Sequence, residues 1–184
     1  MRSMSEGTDR LITMLTAFDS RVQAAKSGDW GRPAPCEGWT ARDVVTHVAN
    51  NVFNLTAGLT GSEPTPVADD EDTVAGWDRA LAAANAVLPT ADMTQNVPGP
   101  MGAMPAEMVI GRLMSMDTLV HIWDLARAVG GDERLDAEAV ARAYDGVKPM
   151  DAMIRRPGVF GPKVECAPGS DLQTEFLSFL GRTV

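Results

Sequence analysis

Two histidines occur among 184 residues. One of them, His121, stands in DTLVHIWDLARAVGG, residues 117–131, with Asp117 four positions before it and Asp124 three positions after it. On a helix these spacings bring the three side chains to one side. The other, His47, lies in TARDVVTHVANN, residues 40–51. An aspartate on the inner part of a helix is costly unless it is paired or binds a metal. If the helix carrying His47 packs against the one carrying Asp117 and His121, two nitrogens and one oxygen surround a point. Three protein ligands with a fourth position open form the donor set of a catalytic zinc site. A plain helical ion pair between Asp117 and His121 accounts for the same spacing. Asp124 has two readings: a catalytic-site acceptor that fixes the tautomer of a ligand histidine, or an ion-pair partner of Arg127 or Arg42.

The elements that must position these residues read as helices. Leu11, Leu15, Phe18, Val22 and Ala25 recur at helical intervals and predict a helix over roughly 5–27, closed by Gly28. Thr40 and Asp43 fit a capping box, and Val44, Val48, Val52, Leu55 and Leu59 then form a stripe that ends at Gly61. A third helix is expected over about 72–88, with Val74, Trp77, Leu81, Ala84 and Leu88 inside. Pro98, Gly99, Pro100 and Gly102 mark a loop, and Pro105 suits the first position of a fourth helix. That helix has two adjacent apolar stripes, so it is central, and Gly130 and Gly131 stop it. Four long helices joined by loops predict a four-helix bundle over 1–131. The remainder, 132–184, is expected to pack on it as an extension of the same domain, with helices near 137–148 and 171–180. The first is started by Asp136, and the second by a capping box at Ser170 and Gln173. RRPGVFGPKVECAPG between them is too rich in Pro and Gly for a helix and is expected to run extended over the bundle.

Composition narrows the function. The formal net charge of −9 argues against nucleic acids and anionic membranes, which need a basic footprint. No apolar run is long enough to span a bilayer, and the N-terminus lacks a signal peptide's apolar core, so a cytoplasmic protein is expected. Cys36 and Cys166 make no disulfide framework. Cys36 has a fourth-ligand reading but is assigned to packing. Trp39 and Trp123 are assigned to the core rather than to a pocket wall. Arg155 and Arg156 are read as a solvated pair rather than as an anion clamp. No HExxH, CxxC, EF-hand or Walker A pattern occurs, and GPMGAMP is not a dinucleotide fingerprint.

PCEGWTARDVVTHVANN, residues 35–51, resembles the start of the second helix in actinobacterial DinB-like proteins, the relatives of mycothiol-dependent maleylpyruvate isomerase. DTLVHIWDLARAVG resembles that family's fourth-helix motif, HxWDLARAxG. VFGPKV and the final FLSFLGR resemble one metal-binding subgroup, so the resemblance spans nearly the whole chain. It implies an all-α, up-down-down-up four-helix bundle with a short C-terminal extension, helical and irregular. It implies a divalent metal, usually zinc with nickel an alternative, on His47, Asp117 and His121, with Asp117 where the isomerase has the longer glutamate. It further implies mycothiol as co-substrate and S-transfer to, or isomerisation of, a small electrophile. The isomerase has an additional C-terminal domain that helps bind substrate, and this chain has room for only part of it. Two other functions use the same ligands: a non-catalytic metal- or small-molecule-binding bundle, and a hydrolase working through metal-activated water. A monomer or homodimer is expected.

Overall fold

Ser5 opens the first helix, α1 (Glu6–Ala24), by accepting the backbone N–H of Thr8. The computed structural model describes residues 5–99, 102–155 and 160–184. Leu11, Leu15, Phe18 and Val22 are all buried along α1, as their spacing requires. The helix stops before the expected Gly28. Ala25 turns extended, and Gly28 lies in a separate 3-10 turn, Ser27–Asp29.

Helix α2 (Ala41–Thr60) begins with the expected capping box. The Thr40 hydroxyl accepts the Asp43 N–H, and the Asp43 carboxylate accepts the Thr40 N–H at 2.7 Å. Gly61 ends it in the left-handed conformation that glycine adopts without steric cost. Helix α3 (Thr73–Val87) is capped by Asp72, which accepts from Val74 and Ala75.

Pro100 of the expected loop lies outside the described residues, but Pro98, Gly99 and Gly102 belong to strands rather than to a loop. Strands β1 (Asn96–Gly99) and β2 (Gly102–Pro105) pair antiparallel, with Val97 opposite Met104 and both side chains buried. Pro105 then takes the N-cap position rather than the first helical one.

The fourth helix, α4, is continuous over 106–129 but not uniform. Ala106–Met108 is α-helical, Val109–Met114 is π-helical, and Ser115–Val129 is α-helical again. The wide turns insert a residue relative to a regular helix and rotate the turns beyond them about the axis. One contact helps explain the local backbone: a Cβ on Gly111 would lie 3.1 Å from the Cα of Gly7. Only glycine at both points lets α1 cross here so closely. Below the π segment nearly every residue from Ser115 to Ala128 is buried, which makes α4 the central helix.

Helix α5 (Ala137–Val147) starts at Asp136 as expected. A short α6 (Asp151–Ile154) comes next, and α7 (Leu172–Phe179) is last. The cap of α7 is Asp171, not Ser170, since Asp171 accepts the Thr174 N–H. Gln173 reaches away instead, donating to Glu133 O and accepting from Leu135 N. Phe176, Leu177 and Leu180 share one apolar core with α1 to α4, so the extension is packed on the bundle. Among the described residues no helix is long and apolar enough to cross a membrane.

Candidate metal centre

The capping box sets where α2 begins, and His47 therefore falls two turns along its inner face. On α4, Asp117 and His121 sit one turn apart on the side facing α2. The two helices pack together. His47 Nε2 lies 3.3 Å from Asp117 Oδ2, and His121 Nε2 lies 3.5 Å from Asp117 Oδ1. One ligand atom from each of the three residues can be chosen so that all fall within 4.8 Å of one another. The histidine rings meet edge to face with centroids 4.8 Å apart. His47 and Asp117 retain about a third of their side-chain exposure, whereas His121 is nearly sealed. The three groups thus form a wall with one open side.

These separations suit a small cation. Tetrahedral zinc with bonds of about 2.1 Å keeps its donors roughly 3.4 Å apart. The chemistry of the set, two imidazoles and one carboxylate, matches borderline divalent metals. The short side chain of Asp117 is adequate here, because its two oxygens each already face one histidine.

Behind the three residues lies a buried polar network. His121 Nδ1 donates to Asp124 Oδ2 at 2.9 Å, which leaves Nε2 to face Asp117. Asp124 is fully buried. Its pairing is neither with Arg127 nor with Arg42. Arg127 pairs with Glu133 and lies over the Trp123 ring. Arg42 donates to the carbonyls of Asp69 and Glu71. The partner is Arg182, whose Nε and Nη2 contact Asp124 Oδ1 and Oδ2 at 3.2 and 2.8 Å. Cys36 Sγ closes the group, 3.4 Å from Asp124 Oδ2 and 3.3 Å from Arg182 Nη2. Cys36 clusters with His121 and Asp124 and not with His47 and Asp117. It is therefore a member of a polar network rather than a simple packing residue.

Charge sets the protonation of the cluster. Burial pushes the Asp117 carboxyl up, but the His121 charge and hydrogen bonds with both histidines outweigh it and hold it well below the usual carboxylate range. Burial opposes a charged His121, yet Asp117 and hydrogen bonds with Asp117, Asp124 and Cys36 raise it well above its ordinary value. Asp124 is likewise held low against burial, by its hydrogen bonds with His121 and Arg182 and by the guanidinium charge. Without a cation the proton on His121 takes the part of the positive charge that the two aspartates call for.

Two residues at the site, Asn51 and Arg182, have no functional assignment from the sequence, and a third, Trp39, is assigned there to the core rather than to the pocket wall it forms. Asn51 stands one turn beyond His47, and its amide nitrogen lies 3.0 Å from His47 Nε2 and 3.1 Å from Asp117 Oδ2. That i, i+4 spacing was a usable signal. Trp39 is half-buried and covers both histidines, stacked on His121 at 5.8 Å and tilted to His47 at 5.0 Å. It walls the site, whereas Trp123 is a core residue with no exposure. Arg182 closes the FLSFLGR segment, whose resemblance to a metal-binding subgroup gave it no role of its own. Of the expected solvated pair, Arg155 is engaged, holding Asp151 and the carbonyls of Gly161 and Phe179. Arg156 lies outside the described residues.

Comparison with known proteins agrees with this architecture. The family model described as the mycothiol maleylpyruvate isomerase N-terminal domain matches residues 13–126. Two uncharacterized proteins, from two strains of Mycobacterium tuberculosis, are each 31% identical over 172 residues, covering 91% of this chain and 93% of theirs. The crystal structure of the mycothiol-dependent maleylpyruvate isomerase superimposes with a TM-score of 0.59 at 16% identity, over 80% of this chain and 71% of that one. A mutant of the same isomerase gives 0.61 at 16% identity, over 81% and 71%. At that identity the likeness is one of fold. The matched segment contains His47, Asp117, His121 and Asp124, and it ends well before Arg182.

Proposed function

The chain belongs to the family of the mycothiol maleylpyruvate isomerase N-terminal domain, and we propose that it is a metal-dependent enzyme using a low-molecular-weight thiol, mycothiol, for S-transfer to or isomerisation of a small electrophile. The observation that carries this reading is the convergence of His47, Asp117 and His121 at donor separations of 3.3 and 3.5 Å. Family membership supports the thiol and the enzymatic character, and the donor set supports zinc or a similar divalent ion.

A divalent metal held by these residues would lower the pKa of a thiol bound beside it, making thiolate available at neutral pH. The chain's own residues do the rest. His47 and Asp117 keep about a third of their side-chain exposure, and that is the side from which a thiol can approach. His121 offers Nε2 because its Nδ1 proton is committed to Asp124. Asp124 has no exposure, so it meets no substrate and acts by orienting the imidazole. Trp39 excludes water from one flank of the histidines. Asn51 donates to Asp117 and keeps its carboxylate aimed inward. Cys36 points into the polar network, so its thiol does not stand on the open side to compete with the exogenous one.

Metal analysis of the purified protein, with His121→Ala alongside, tests the ligands. The expected result is about one divalent ion per chain, lost in the variant; full retention by the variant defeats the assignment. Cobalt substitution then tests the thiol. Mycothiol is expected to add a thiolate-to-cobalt charge-transfer band, glutathione a weaker band or none, and a thiol-free analogue none. A spectrum that no thiol perturbs favours the hydrolase or the non-catalytic reading.

A further inference from the structure

The Arg182 side chain is nine-tenths buried and reaches Asp124 from 58 residues away in sequence. Its guanidinium grips both carboxylate oxygens, Nε on Oδ1 and Nη2 on Oδ2. A third nitrogen, Nη1, donates to the carbonyl of Leu180, and Nη2 also meets Cys36 Sγ. The fork is thus held at both ends, by the chain beside it and by the acid in front of it. Two-point guanidinium–carboxylate pairing fixes the plane of the carboxylate as well as its charge. The same Oδ2 that Arg182 grips accepts the Nδ1 proton of His121. The orientation of His121 is therefore set by a chain of two contacts that begins outside the bundle.

The backbone around Arg182 is built to present it. Leu180 is fully buried, and Gly181 is left-handed at φ 85°. A Cβ on Gly181 would lie 2.8 Å from the carbonyl of Pro162. The residue before Arg182 thus has to be small and left-handed for the side chain to turn inward under the strap of residues 160–164. Phe160 from that strap faces the guanidinium, its ring centroid 5.8 Å from Cζ. Arg155 ties the strap to α7 by donating to Gly161 O and Phe179 O.

We propose that Arg182 is a positioning residue for the metal centre: through Asp124 it orients the His121 imidazole, so the C-terminal extension completes a site whose ligands all lie in the bundle. This rests on the proposed metal centre, but one arm of its test does not. An imidazole N–H held in a buried hydrogen bond exchanges slowly and gives a proton resonance downfield of the amides, with or without metal.

The experiment compares wild type, Arg182→Lys and Arg182→Met, each shown to be folded by circular dichroism and thermal melting. In metal-free protein the His121 Nδ1–H resonance is expected in wild type, broadened in Arg182→Lys and lost in Arg182→Met. In the second arm, cobalt affinity by chelator competition is expected to fall about tenfold in Arg182→Met, at the lower end of what losing an outer-shell partner costs a metal site. Arg182→Lys, which keeps the charge but not the fork, is expected to recover part of that loss. A merely structural arginine would lower the melting temperature while leaving the resonance in place. If Arg182→Met keeps the resonance at the wild-type position, or binds cobalt within twofold of wild type, the proposal is overturned. If Arg182→Met fails to fold, Arg182→Lys decides alone, and a wild-type resonance there overturns it. A wild type that binds no metal refutes the metal-centre reading, while the resonance arm still decides the role of Arg182.

Discussion

The indole of Trp39 lies nearly parallel to the imidazole of His121, ring centroids 5.8 Å apart and planes 16° from one another. The residue precedes the cap of α2, so the loop before the helix forms a wall of the site while its cap fixes the helix start. Metal binding at His121 should therefore change the emission of Trp39. Trp39→Phe is expected to abolish the metal-dependent change in tryptophan fluorescence, although Trp30, Trp77 and Trp123 remain. An undiminished change in that variant places the metal elsewhere.

Asp117 faces one histidine with each oxygen, so its charge would be the most direct determinant of affinity for a metal held there. Asp117→Asn keeps the shape and removes the charge. It is expected to weaken zinc binding by at least the roughly tenfold that losing an outer-shell partner costs. Asp117→Glu, which keeps the carboxylate on a longer arm, is expected to retain binding. Competition with a calibrated chelator measures both. Equal affinity for the asparagine variant would show that Asp117 is not a ligand.

Three shifts set the pH dependence of the metal-free protein. Asp117 and Asp124 are lowered from 3.8, so their stabilisation is present above that value and is lost as pH falls through their folded values. His121 is raised from 6.5, so its stabilisation is fully present below 6.5 and declines as pH rises toward its folded value. Melting temperature in the presence of chelator should thus be highest between about 4 and 6.5. Metal affinity should run the other way on the alkaline side, because a metal must displace the His121 proton. Thermal melts across pH with and without zinc check both, and His121→Ala should lose the alkaline decline.

Phe18 is fully buried and packs edge-on against Trp77 at 4.8 Å, while Trp77 donates to Asp19 at 2.8 Å. Truncation to alanine leaves a cavity at the join of α1 and α3. Phe18→Ala is expected to cost about 3–5 kcal/mol, read as a melting temperature lower by about 10 °C. A loss under about 1 kcal/mol would mean that the bundle collapses into the space, contrary to the close packing described.

The net charge of −9 predicts no useful affinity for polyanions. Fluorescence anisotropy with random DNA and RNA at physiological salt should show no binding at micromolar protein. Sub-micromolar binding would refute the charge argument.

The features legible in the sequence were local. The capping box at Thr40 and Asp43, the stripe of α1 and the stop at Gly130 depend on neighbours within a turn or two, and each is where its spacing puts it. The meeting of His47, Asp117 and His121 was legible for the same reason. Asp117 and His121 share a helix face by geometry, and only one other histidine existed to join them. The hairpin was not legible, because its strands are four residues each and rich in Gly and Pro, with no alternation to mark them. The π segment was not, because helical spacing alone does not register an inserted residue, and the close approach at Gly111 is to Gly7 on another helix. Trp39 over the histidines and Arg182 on Asp124 were decided only by the fold. Cys36 and Arg182, which touch across 146 residues, obey no local rule. A periodic pattern reports which face of a helix is buried; which distant side chain pairs with a buried charge depends on where the packed elements bring the chain, and that is settled by the tertiary structure alone.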